Sequence, residues 1–71
     1  MIDPTRKDVL QALTELSAEF PDWRLGQMIA NLAVVARGAT VEAVWDVEDE
    51  ELLDAIRQQL ARRRESAPIS A

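Results

Sequence analysis

Apolar residues recur at intervals of three and four in three separate runs along this chain. The runs are Val9, Leu10, Leu13, Leu16 and Phe20; Leu25, Met28, Ile29, Leu32, Val35 and Ala36; and Leu52, Leu53, Ile56 and Leu60. That spacing gathers each run on one face of an α-helix, where a half-buried strand would alternate. Residues that stop helices part the runs. Pro21 disfavours helical geometry at Phe20, and Gly38 enters the left-handed conformation without steric cost. The pattern predicts an all-α fold, a small three-helix domain.

The first helix is expected from about Thr5 to Glu19, with Asp3 as an N-cap accepting from free backbone N–H groups and Pro4 at the first helical position. The second is expected from about Trp23 to Ala36, capped by Asp22, with Arg37 beside its negative end. It is the most apolar of the three, carrying Ala30, Ala33 and Val34 on its other sides. It is therefore expected at the centre of the fold, with Leu25, Ile29 and Leu32 buried. Gly26, Ala30 and Ala33 form a stripe of small residues that a neighbouring backbone can approach closely. The third helix is expected from Asp46 or Val47 to near Arg64, burying Leu52, Leu53, Ile56 and Leu60.

Between Ala39 and Trp45 the chain reads either as an extra helical turn between the second and third helices or as an extended segment. A turn or loop packed by Val41, Val44 and Trp45 is favoured, because a strand here lacks a partner within the chain. Residues 1–65 are read as a single helical domain and residues 66–71 as a flexible C-terminal tail.

Seventy-one residues suffice for one small core, and the absence of cysteine excludes a disulfide to reinforce it. Histidine and tyrosine are absent as well, and Lys7 is the single lysine. The soft ligands of zinc sites and the usual acid–base and nucleophilic groups are therefore missing. No catalytic residue, cofactor, metal or small-molecule substrate is expected, and the chain is read as not an enzyme. No apolar run reaches the roughly 18 residues that mark a membrane-spanning helix, and the N-terminus lacks the basic and apolar segments of a signal peptide. A cytoplasmic location follows as the expectation. A net charge of −5 argues against a nucleic-acid partner, since it repels phosphate backbones at long range.

Four groups of side chains stand out, each with a functional and a structural reading. Arg24, Gln27 and Asn31 follow at i, i+3 and i+7, one polar stripe on an otherwise apolar helix. These are residue types that pair with base edges in a major groove. The favoured reading is structural: Arg24 pairs with a carboxylate of the acidic run, while Gln27 and Asn31 satisfy backbone groups of loops. The acidic run itself is Asp46, Glu48, Asp49, Glu50 and Glu51. It lacks the pattern of a calcium loop, because Glu51 occupies the place of the required glycine. It suits the first turn of a helix, where negative charge is favoured, and otherwise offers a docking surface to a basic partner. Arg62, Arg63 and Arg64 suit the opposite end of that helix and also make a small phosphate-binding patch. Trp23 and Trp45 each sit beside a helix start, where burial is the default and exposure would mark an interface.

The candidate interaction surface is therefore Arg24, Gln27, Asn31, Trp45, Asp49 and Glu50. The leading expectation is a non-catalytic protein–protein interaction module. The alternative is a small nucleic-acid-binding regulator using the Arg24, Gln27 and Asn31 stripe with the terminal arginines. The expected partner of the interaction module is another protein or a second copy of itself. A monomer is favoured over a two-fold dimer formed through the Gly26, Ala30 and Ala33 stripe and Trp45.

The segment Arg24-Leu25-Gly26-Gln27-Met28-Ile29-Ala30-Asn31, followed by Val44-Trp45-Asp46-Val47-Glu48-Asp49-Glu50-Glu51-Leu52-Leu53, resembles a group of short bacterial proteins without an assigned activity. Those proteins share a helix patterned R-(L/F)-G-Q-x-(I/L/V)-x-N, then an aromatic residue and E-D-E-(E/K)-L. The resemblance covers roughly Phe20 to Leu60 and implies a bacterial source and a shared helical architecture. The connection from Gly38 to Val44 is longer here than in the shortest members.

Overall fold

A computed structural model of the chain describes residues 3–66. Among them are four helices, α1 (Pro4–Glu19), α2 (Leu25–Arg37), α3 (Ala43–Asp46) and α4 (Asp49–Ser66). The protein is a small all-α domain, with α3 supplying the extra helical turn. Residues 67–71, which make up most of the expected tail, lie outside the described residues. Helix α4 itself continues through Glu65 to Ser66.

The helix boundaries follow local chemistry, with some differences from the sequence expectation. Asp3 stands at the N-cap of α1, but its backbone does the capping. Its carbonyl accepts from Lys7 N–H at 3.0 Å, and its side chain makes no capping bond. Helix α1 stops at Phe20, as Pro21 requires, and the chain reverses through a turn in which Trp23 N–H donates to the Phe20 carbonyl at 3.1 Å. Proline is well suited to the second position of such a turn. The turn consumes Asp22 and Trp23, so α2 begins at Leu25 with Arg24 at its N-cap, and Asp22 does not cap it. Gly38 ends α2 with φ 93° and ψ 174°, outside the left-handed helical well and in an extended region open essentially to glycine alone.

The core gathers Val9, Ala12 and Leu16 from α1, Met28 and Leu32 from α2, and Leu53, Ala55, Ile56 and Leu60 from α4. Helix α4 packs against both α1 and α2, and α3 packs against α2. The expectation that α2 is central is thus overturned: α4 is the helix with two large neighbours. The reason lies in the width of its buried face. Ala55 is fully buried, and Leu52 is partly buried against the core, on the flank of the Leu53, Ile56 and Leu60 stripe. The apolar arc of α4 is therefore wide enough for two helices. On α2, Leu32 is buried and Ile29 half-buried, but Leu25, the first residue of the helix, is 65% exposed.

The small-residue stripe divides along its length. Ala33 is buried on the helix that α3 packs against, whereas Gly26 and Ala30 face outward. A β-carbon added to Gly26 would meet nothing within 4 Å. The close approach that the stripe permits is used within the chain and at one end only.

Candidate interaction surface

The segment between α2 and α4 folds as one helical turn, but its packing is the reverse of the expectation. Ala43 is the residue buried there. Val41, Val44 and Trp45 were expected to pack the segment and instead point outward, with Val41 92%, Val44 51% and Trp45 89% exposed. The cause is geometric. Val44 and Trp45 follow Ala43 on the solvent side of α3, and Val41 lies in the turn that leads into it. Ala43 projects to the other side, and its single methyl lets the turn lie close against α2. With Ala43 turned inward, Val44 and Trp45 face solvent.

Carboxylates flank these apolar residues in the sequence. Glu42 and Asp46, four residues apart on the same turn, are exposed, and so are Glu48 and Glu50 at the entry to α4. From Gly38 to Ile56 the sequence holds Glu42, Asp46, Glu48, Asp49, Glu50, Glu51 and Asp54, and no lysine or arginine. Two of these acids are neutralised by basic residues from other helices. Arg6 on α1 donates through Nε to Oδ2 of Asp49 at 2.7 Å, and the carboxylate holds the guanidinium pKa above its ordinary value. Arg37 at the end of α2 donates to Oε1 of Glu51. Among the described residues no group of three or more acidic side chains is placed to hold a metal ion.

The structural role expected for the polar stripe is not observed. The acidic run is met by Arg6 and Arg37, and among the described residues Arg24 joins no ion pair. Gln27 and Asn31 are exposed and make no side-chain hydrogen bond to another described residue. They share the outer face of α2 with Val34 and Val35, which are 45% and 42% exposed.

Five of the six candidate residues fall in two places, with Asn31 midway along α2. Arg24 and Gln27 lie at the N-terminal end of α2, and that helix rises about 20 Å over its length. Trp45, Asp49 and Glu50 lie beyond its far end, where Arg37 meets Glu51. Arg24 shares its end of the molecule with the C-terminus of α4. There Arg63 stands 3.7 Å from Glu19, with its guanidinium 5.5 Å from the centre of the Phe20 ring. Phe20 in turn stacks on Trp23 at 4.3 Å. Trp23 is thus partly buried against the core, and Trp45 is exposed.

Sequence reasoning missed a second apolar surface, a shallow groove lined by Leu10, Leu13, Thr14, Ser17, Ala18 and Leu25. The signal for it was present in the uncharged positions 10, 14, 17 and 18 on the side of α1 away from Val9 and Leu16. With no charged side chain in its lining, the groove offers nothing to specify an occupant.

Among the described residues no helix is long and apolar enough to cross a membrane. Fold and surface together define a small all-α domain with an exposed tryptophan ridge. Comparison with protein-family models, curated proteins and solved structures returns no match.

Proposed function

We propose that this chain is a non-catalytic protein–protein interaction module that docks through the ridge of Val41, Val44 and Trp45. The observation that carries this reading is the 89% exposure of Trp45 on a domain whose other tryptophan is stacked on Phe20. A solvated indole forgoes the burial that normally stabilises a large ring, and tryptophan is among the residues that dominate binding energy at interfaces. Two exposed valines beside it extend the apolar contact. The absence of histidine, cysteine and tyrosine supports a role without catalysis, and the resemblance of the Arg24 to Leu53 segment to short bacterial proteins supports a bacterial source.

The test is photocrosslinking in cells from a reactive side chain placed at Val41 or Val44. A discrete protein adduct is expected, lost in a folded Trp45→Ser variant and absent when the reactive group is placed at Ala61 on the exposed side of α4. No adduct at either ridge position would overturn the reading. So would affinity for random duplex DNA that falls steeply as salt rises, the signature of phosphate contacts.

A further inference from the structure

We infer that the partner of this ridge is a cationic segment of another protein, one that presents apolar side chains flanked by lysine or arginine. The inference rests on the interaction-module reading and adds the chemistry of the partner. Its basis is the charge around Trp45. Glu42, Asp46, Glu48 and Glu50 are exposed and lie within five positions of Trp45 in the chain, and no basic residue lies between Gly38 and Ile56 to balance them. Arg6 and Arg37 reach only Asp49 and Glu51.

This arrangement selects against the other occupants. A two-fold dimer through the ridge would set the same patch against itself, so the four carboxylates of one copy would face the four of its mate. Like charges brought together as water is excluded oppose such a contact. Anionic membrane surfaces are disfavoured by the same repulsion. A basic segment places its apolar side chains against Val41, Val44 and Trp45 while its cations meet the rim, which gives contact area and long-range steering together.

The probe is a synthetic helical peptide of leucine and lysine, with its leucine and glutamate counterpart as control. Binding is followed by the emission of Trp45 in a Trp23→Phe background. The lysine peptide is expected to bind and shift Trp45 emission to the blue, with affinity falling as salt rises, and the glutamate peptide is expected not to bind. A Trp45→Ser change, followed by calorimetry, should abolish binding with the rim charges intact. Joint Glu42→Gln, Asp46→Asn and Glu50→Gln should weaken it roughly three- to hundredfold, on the scale of exposed ion pairs. Neutralising Asp8 and Glu15 on α1 should leave it unchanged.

Equal binding of both peptides, no binding of the lysine peptide, or a loss on α1 as large as that at the rim would each overturn the inference. A dimer in light scattering that Trp45→Ser dissolves would assign the ridge to a second copy, and a blue shift on anionic vesicles would assign it to a membrane. If crosslinked adducts form at Val41 while the lysine peptide fails, the module reading stands and the cationic partner does not.

Discussion

A single oxygen of Glu51, Oε1, accepts from Arg37 Nε at 3.1 Å and stands 3.0 Å from its Nη2, tying the last turn of α2 to the first turn of α4. The same oxygen accepts from the backbone N–H of Glu48 at 3.0 Å, three residues earlier. That second contact is half of a capping box, a third-position glutamate reaching back to a free amide at the helix start. Glu51 therefore holds both ends of the loop that presents Trp45.

These donors keep the Glu51 carboxyl below the ordinary glutamate range. The Glu48 amide is the main cause; loss of hydration opposes it, and Arg37 adds to the lowering. A carboxyl whose pKa is lower in the folded than in the unfolded chain contributes stability above its unfolded pKa and loses it as pH falls through the folded one. Glu51→Gln should therefore melt below the wild type near neutral pH, with the difference closing as pH falls below the ordinary glutamate range. Thermal midpoints across that range check this, and a gap that stays constant would show that the ionised form is not the source of the stability.

Core substitutions should rank by α4 and not by hydrophobicity along α2. Ile56 is 0% and Leu32 1% exposed, so Ile56→Ala and Leu32→Ala should each cost roughly 2–5 kcal/mol. That is comparable to all that so small a core supplies. Leu25→Ala should change stability by no more than about 0.5 kcal/mol, since the side chain already faces solvent. Urea midpoints of the three variants make the comparison, and a large loss at Leu25 would show that its end of α2 is packed.

The two glycines should respond in opposite directions. Gly38 has φ 93°, which an L side chain rarely adopts, so Gly38→Ala should destabilise by about 1–3 kcal/mol despite open space around it. Gly26 lies within α2 with nothing near its missing β-carbon, so Gly26→Ala should stabilise by up to about 1 kcal/mol. Chemical denaturation of both variants reads the signs directly.

The two tryptophans should be separable by light. With Trp23→Phe, the remaining Trp45 should emit at long wavelength and be quenched readily by acrylamide, as a solvated ring is. With Trp45→Phe, the remaining Trp23 should emit further to the blue and be less accessible, because it stacks on Phe20 with 16° between the ring planes. Similar quenching of both would contradict the exposed ridge.

The sequence by itself determined the helices and their stops. Val9 and Leu16, Met28 and Leu32, and Leu53, Ile56 and Leu60 are legible as buried because three- and four-residue spacing fixes which side chains share a face before any neighbour is known. Pro21 and Gly38 act through their own backbones, so their effects are local. Tertiary structure alone decided which helix became the centre and which apolar residues stayed outside. Ala12, Ala33, Ala43 and Ala55 are buried because small side chains let helices come close, yet alanine is equally at home on a surface, so composition cannot announce it. The burial of Ala43 turned Trp45 outward, and the reach of Arg6 and Arg37 decided which acids were paired. Both outcomes depend on residues distant in the chain meeting in space, and no periodicity encodes that.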